Sequence, residues 1–381
     1  MKKINFLTSH FLPENTAATN RVVTYVKELS KHYKINIFAL GERGEKRATF
    51  MKYGENLEVY YINQKNFDAK NFVKRAFFEM SYIYKLISLS KTQKSDLTIA
   101  TAPYMFMIPL VAFLVRGKKI IDIRDLVWEY LNDKSLFQKV VKIILRKIML
   151  LSLKKYDFIL VTNENEKKWL NCNKIVKNIC IISNGIEREK FEVLSNIPIK
   201  RSNRFTVTYI GNIGIAQNLK VLVECAKELP DISFNIIGSG VEFEELKNYI
   251  QKNDIKNVNM PGKKSWSEIL EYYEKSSVLY AQLDEKFVSA MPSKLYEYAS
   301  VGLPIIYGGV GVAADFVKKL ENSFSIKPND KEELKRAILF LKDKNFDISY
   351  KNRDFIKNNF IREEEAKKLT KIVDEVLNEG R

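Results

Sequence analysis

Pro292-Ser-Lys-Leu-Tyr-Glu-Tyr-Ala-Ser-Val-Gly-Leu-Pro304, followed by Ile305-Ile306-Tyr307 and Gly308-Gly309, is the stretch whose reading decides the fold. It reads as a short helix between two stops. Pro292 and Ser293 suit a helix start, where a missing N–H costs little and a hydroxyl can cap. Gly302 suits the C-terminal cap, and Pro304 forbids further helix. Leu295, Tyr298 and Ala299 share one face, which predicts inward packing, while Lys294 and Glu297 lie three apart on another. The run after Pro304 is a buried-strand pattern. A polar helix start beside a parallel sheet is a site for a phosphate group, and a carboxylate one turn in can accept both hydroxyls of a ribose. The plainer reading is a capped helix with a solvated Lys–Glu pair.

Outward from this stretch the same alternation of β-branched runs and helical patterns fills the chain. The first half predicts strands at Ile4–Ser9, Ile35–Leu40, Val59–Ile62, Leu97–Ala100, Lys119–Ile123, Phe158–Val161 and Ile179–Ile182. Amphipathic segments separate them, the clearest being Asn20–His32. Asn196-Ile-Pro-Ile-Lys-Arg-Ser-Asn203 has no period and reads as a linker. Strands then resume at Phe205–Ile210, Ile232–Ile237, Val258–Met260, Ser277–Ala281, Ile305–Tyr307 and Ser323–Ile326. Strands separated by helices argue for parallel sheets covered on both faces. The expected fold is therefore α/β, with two doubly wound Rossmann-like domains facing across a cleft. They would span residues 1–195 and 196–360, and a charged amphipathic helix over 361–381 would cross back to the first. Ligands of such sheets bind at the carboxyl ends of the strands.

The 381 residues are enough for two cores, and 46% apolar with 29% charged residues marks a globular protein. Cys172, Cys180 and Cys225 lack metal or redox spacing and suit a reducing compartment. The N-terminus turns polar too soon for a signal peptide and reads as a first strand. The longest apolar run, Met105 to Val115, is interrupted by Pro109 and too short to span a bilayer. Net charge is +17, and residues 1–200 hold 35 Lys/Arg against 19 Asp/Glu, nearly all of the excess. The first half should therefore face something anionic.

Several clusters fall at strand ends. The loop His10–Arg21 joins the first strand to a helix and contains no glycine, which argues against a dinucleotide fingerprint. Asn15 and Thr16 in this loop are candidates for the acceptor side, against the reading of an ordinary loop. Asp122-Ile-Arg-Asp-Leu-Val-Trp-Glu129 follows the strand at Lys119–Ile123. Asp125 can orient an acceptor hydroxyl or take its proton, Arg124 can hold an anion, and Trp128 is a further acceptor-side candidate. The plainer reading is a surface ion pair. Gly211-Asn-Ile-Gly-Ile-Ala-Gln217, Gly238-Ser239-Gly240 and Pro261-Gly-Lys-Lys264 close three strands of the second half. Gly211, Asn212, Gln217, Gly238 and Lys263 are donor-side candidates there, and ordinary turn chemistry is the alternative. Lys139, Lys142 and Arg146 line one face of Leu136–Leu153, with Leu136, Val140, Ile143, Ile144, Leu150 and Leu151 as apolar surface. That pattern suits an interfacial anchor on an anionic membrane, and Phe72–Phe78 has the same flavour. The alternative is two core helices with basic outer faces. Two histidines, His10 and His32, are too few for a metal cluster or a Ser–His relay, and no DxD triplet occurs, so no metal is expected.

Together these pieces resemble retaining GT-B-fold glycosyltransferases of family 4. The likeness is densest at Pro292–Pro304, which matches the family's donor-binding helix. It is also dense at Gly211–Gln217, typical of a subgroup that builds bacterial surface polysaccharides, and at Asp122–Glu129, which resembles that subgroup's Arg-Asp-Leu-Trp segment. Asn184-Gly-Ile186 matches a common turn before the linker. The resemblance implies a nucleotide-sugar, expected to be a UDP-sugar, as co-substrate with no separate cofactor. It implies a ribose on Glu297, a diphosphate at Ser293 and Lys294, and an acceptor at Asp125 and Arg124. The acceptor would be a lipid-linked saccharide at the cytoplasmic face of the inner membrane. The chain departs from the pattern at Ser289, where many members carry a second glutamate, and at Asn212 and Gln217, where many carry arginine and lysine. A GT-B-type nucleotide-sugar epimerase is the alternative enzyme. A basic nucleic-acid-binding protein is the alternative from a different class; against it, the sequence shows no recognised binding module and no aromatic stacking motif, so no nucleic-acid partner is expected.

Overall fold

The structure, a computed structural model, describes residues 1–14, 16–44, 49–65, 72–131, 133–175, 178–200 and 204–378. The chain divides into two compact units, Met1–Asn184 with Arg362–Arg381, and Gly185–Ile361. Both are α/β.

The first unit is built on eight strands: β1 (Lys3–Thr8), β2 (Lys34–Arg43), β3 (Phe50–Gly54), β4 (Leu57–Gln64), β5 (Leu97–Ala102), β6 (Lys118–Ile123), β7 (Phe158–Val161) and β8 (Asn178–Ile181). Their order in the sheet is β3-β4-β2-β1-β5-β6-β7-β8. All pairings are parallel except β3 with β4. The central strands are buried over nearly their whole length and mostly apolar, as a sheet covered on both faces requires, with Asn5, Thr98 and Asp122 among the buried polar exceptions. Strand β3 was not expected. Its burial pattern is exposed throughout, so it carries no buried apolar run to announce it.

The second unit has six parallel strands: β9 (Thr206–Ile210), β10 (Ser233–Ile237), β11 (Val258–Gly262), β12 (Val278–Gln282), β13 (Ile305–Gly308) and β14 (Phe324–Ile326). Their order is β11-β10-β9-β12-β13-β14. The expected strands are all present: β11 and β13 run longer than expected, β9, β10 and β14 begin one residue later, and β12 is shifted by one.

Both sheets reverse their winding once, between β1 and β5 in the first and between β9 and β12 in the second. Loops leaving the carboxyl ends of two strands diverge there and open a crevice. The candidate residues after β1, β6 and β9 sit on these edges or one strand away.

The domain boundary needs correction. Helix Arg188–Ser195 belongs to the second unit, because Phe191 and Leu194 pack with Leu295, Tyr298 and Val301 in one core cluster. The expected boundary at residue 195 had left this segment in the first domain. Within the second unit Ile186 and Ile361 form a parallel bridge, so the two chain crossings into the unit run side by side. The final helix, Arg362–Asn378, lies in the first unit against helix Ala17–Leu29.

Candidate functional site

In the second unit the decisive stretch folds as a helix over Lys294–Val301. Gly302 caps it in the left-handed region at φ 83°. Leu295, Tyr298 and Ala299 are fully buried, as their common face predicts. Tyr298 ties the helix to β9: its hydroxyl accepts the Ile210 N–H at 2.9 Å. The helix start differs from expectation. Ser293 has helical backbone and makes no side-chain cap, so its hydroxyl is exposed rather than folded back on the helix. Its exposure leaves the first amides uncapped by that side chain.

Lys294 and Glu297 do not form the solvated pair of the plainer reading. The Lys294 ammonium lies 3.8 Å from the centroid of the Tyr209 ring, beneath Gly211. Burial pushes its pKa down to about 7, with Glu297 opposing. Glu297 instead pairs with Lys190, Nζ to Oε1 at 2.6 Å. Lys190 also sits over the Trp266 ring at 4.4 Å. The buried Tyr273 hydroxyl lies beside Glu297 but makes no well-formed hydrogen bond.

Glycines shape the floor of this edge. Gly211 donates its N–H to the Ile237 carbonyl, and Gly238 donates to Gly262. A Cβ on Gly238, whose φ is 145°, would fall 1.8 Å from the Gly211 carbonyl oxygen. The loops after β9 and β10 therefore touch backbone to backbone, and no side chain fits between them. A Cβ on Gly211 would lie 2.5 Å from Lys294 Nζ. Asn212 donates to Gln217 Oε1 at 3.1 Å, a neutral pair above the floor. Gln282 at the end of β12 donates to the carbonyls of Gln217 and Asn218, joining the two loops of the switch point. Lys263 is exposed after β11.

In the first unit the edge is built around buried charge. Asp122, at the end of β6, takes Arg21 in a two-pronged pair at 2.8 and 3.1 Å, with both groups inaccessible. Arg21 also donates to the Ser183 carbonyl and to Asn184 Oδ1. Arg124 is largely buried, its Nε has no partner, and burial beside Arg21 lowers its pKa. Burial raises Asp125 to about 6, against the pull of Arg124. Asp125 is thus neutral below pH 6 and a carboxylate above it, a range suited to taking a proton near neutrality. Glu166 accepts the N–H and hydroxyl of Thr162 through Oε2, while Oε1 is buried and unpartnered. Burial raises its pKa to about 8, with Asp125 adding to the effect. The plainer reading of Asp122–Glu129 as a surface ion pair does not hold, since the ion pair is internal and reaches Arg21.

Trp128 is a correction. The 3₁₀ turn Val127–Tyr130 drives its indole into the core, edge-on to Trp169 at 5.8 Å and fully buried, where no acceptor can reach it. Thr16 caps helix Ala17–Leu29 by accepting the Thr19 N–H. Asn15 lies outside the described residues. Sequence reasoning missed Arg21, Asp122's pairing, Glu166 and Lys190, because each depends on a contact between residues distant in sequence. It also missed the pair His10 Nδ1 to Glu14 at 2.8 Å, whose ring meets Tyr104 edge-on at the β1–β5 switch. Among the described residues, no group of three or more His, Cys, Asp and Glu is placed to hold a metal.

Residues 190–362, almost all of the second unit, match the family model described as Glycosyl transferases group 1. An uncharacterised glycosyltransferase of Methanocaldococcus jannaschii is 24% identical, over 99% of this chain and all of that protein. The Escherichia coli UDP-Gal:α-D-GlcNAc-diphosphoundecaprenol α-1,3-galactosyltransferase is 28% identical over 48% of this chain and 50% of its own length. Among solved structures, sucrose-phosphate synthase from Thermosynechococcus elongatus superposes with a TM-score of 0.77 at 14% identity, covering 99% of both chains. The two-domain α/β fold with parallel sheets is the GT-B fold expected.

Proposed function

We propose that the chain is a retaining glycosyltransferase of family 4. It would move a sugar from a nucleotide-diphosphate donor, a UDP-sugar, to a lipid-linked saccharide in the synthesis of bacterial surface polysaccharide. The observation that carries the reading is the uncapped start of helix Lys294–Val301 at the β9–β12 switch point. Glu297 lies one turn in and a glycine floor lies beneath. The positive end of a helix attracts phosphate, and Glu297 would accept the ribose hydroxyls. The group 1 domain and the glycosyltransferase relatives support the class. The galactosyltransferase relative, whose name states a UDP-sugar and a diphosphoundecaprenol acceptor, supports the donor and acceptor proposed.

In this mechanism the leaving diphosphate is stabilised by the amides at the start of the helix and by Lys294, groups fixed before reaction begins. Ser293 offers its exposed hydroxyl. Asn212 and Gln217 border the donor as neutral donors and acceptors, with Gly211 and Gly238 allowing close approach and Lys263 adding charge at the rim. On the first unit Asp125 receives or orients the acceptor hydroxyl, and Arg124, short of a partner at Nε, holds an anionic group of the acceptor. The protein would sit in the cytoplasm, peripheral to the membrane through Leu136–Leu153. No described helix is long and apolar enough to cross a bilayer.

A thermal-shift screen with UDP, GDP, ADP and their sugars tests the donor class; UDP compounds should raise the melting temperature. Glu297→Ala should then weaken nucleotide binding by roughly 1.5–3 kcal/mol for each charge-assisted hydrogen bond lost. Unchanged affinity by calorimetry would remove Glu297 from the site.

A further inference from the structure

Glu297 is already engaged before any ligand arrives. Lys190 reaches it from helix Arg188–Ser195 at 2.6 Å and at the same time lies 4.4 Å above the Trp266 ring. Lys190 and Glu297 are both partly exposed, at 32% and 22%, so the pair lies at the rim of the site and not in the core. Trp266, the first residue of helix Trp266–Glu274, is 37% exposed. Its start is fixed by a capping box between Ser265 and Glu268, so the indole is a rigid platform.

The charges nearby show what this lysine can do. A nucleoside diphosphate brings two or more negative charges to the helix start. The loop after β9 meets them with the neutral pair Asn212 and Gln217. Lys294 is buried against Tyr209 and only partly charged near pH 7. Lys190 is the cation already adjacent to the ribose-binding carboxylate, on a flexible stem. A ribose diol approaching Glu297 supplies O–H donors to the carboxylate whose Oε1 Lys190 now holds, and this competition frees the ammonium, on its flexible stem, to turn toward the phosphates.

We propose that Lys190 is a donor-binding residue, exchanged between Glu297 in the free protein and the donor's diphosphate in the complex, with Trp266 reporting the exchange. This rests on the reading of the second unit as a nucleotide-sugar site.

The probe is whichever of UDP, GDP and ADP binds most tightly, alongside its monophosphate and free nucleoside. Lys190→Met should weaken the diphosphate roughly ten- to hundred-fold, the worth of one charge-assisted hydrogen bond. It should leave the nucleoside unchanged or slightly tighter, because the competitor for Glu297 is gone. Lys190→Arg should restore most of the loss. The chain contains three tryptophans, Trp128, Trp169 and Trp266. With 5-fluorotryptophan, the fluorine resonance identified by Trp266→Phe should shift saturably with the diphosphate in the wild-type protein. A diphosphate that binds the wild type yet leaves the Trp266 resonance still, or binds Lys190→Met equally well, overturns the exchange while leaving the donor site standing. Binding of none of the three nucleotides overturns both.

Discussion

Lys294 shows how burial decides chemistry at a single residue. Its ammonium gives up water for one aromatic face and the field of Glu297, and the desolvation wins, leaving a pKa of about 7. At pH 8 the free protein therefore holds Lys294 mostly neutral. A diphosphate at the helix start favours the ammonium and raises that pKa, so binding takes up a proton. The sign follows: affinity should fall as pH rises above 7, by up to about ten-fold per unit while the bound form stays charged and the free form does not. Calorimetry at pH 8 in buffers of different ionisation heat measures this directly. The apparent enthalpy should track the buffer heat with an uptake approaching about one proton, and Lys294→Met should abolish the dependence. An enthalpy independent of buffer would mean that Lys294 stays neutral and does not meet the phosphates. The resemblance pointed Lys294 at a diphosphate, but its burial and lowered pKa were not visible in sequence, where Lys294 and Glu297 at a spacing of three also read as a solvated pair.

At the scale of the element, helix Leu136–Leu153 was legible as amphipathic, but not in the detail of its faces. Leu136 at 83% and Phe137 at 77% exposure lead a stripe that continues through Val140, Ile143, Ile144 and Leu151. Leu150 turns inward, packing against the core beside Met149. Among the basic residues Lys139 and Lys147 are exposed, whereas Lys142 pairs with Asp133 and Arg146 with Glu129 while stacking on Trp169. An apolar stripe with lysines at its edge and nothing covering it in the described structure is the arrangement an anionic bilayer surface would take up. Each lysine near such a surface contributes about 1 kcal/mol. Lys139→Glu with Lys147→Glu should therefore strongly reduce sedimentation with anionic liposomes, and Phe137→Ser with Ile144→Ser should do so even at low salt. Undiminished binding by both pairs would retire the anchor. Strands were more legible than helix faces, because a buried strand in a parallel sheet needs an uninterrupted apolar run. Which side of a helix meets the sheet depends on neighbours that a local pattern does not name.

At the scale of the molecule, the alternation of strands and helices sufficed to read two doubly wound units, since parallel strands require crossovers and crossovers leave a periodic trace. The boundary was less legible: helix Arg188–Ser195 has an ordinary amphipathic pattern, and only its packing on helix Lys294–Val301 assigns it to the second unit. The last helix is a similar case. Ala366, Leu369, Ile372, Val373 and Val376 are buried in the core shared with Val22, Val26 and Leu29 of helix Ala17–Leu29. Glu365 accepts the Ser183 N–H and Arg362 donates to the Asn184 carbonyl, so the same helix fixes the end of the first unit's chain. Burying the four larger of those side chains stabilises by roughly 1.5–3 kcal/mol each, on the order of 10 kcal/mol together, comparable to the whole stability of a typical domain. Removal of residues 362–381 should therefore leave the first unit unable to fold, with the second unit's transition surviving in calorimetry. The milder Leu369→Ala should cost about 2–5 kcal/mol and lower the first unit's melting alone. A truncated chain in which both transitions keep their wild-type midpoints would show that this helix covers the first core without holding it together.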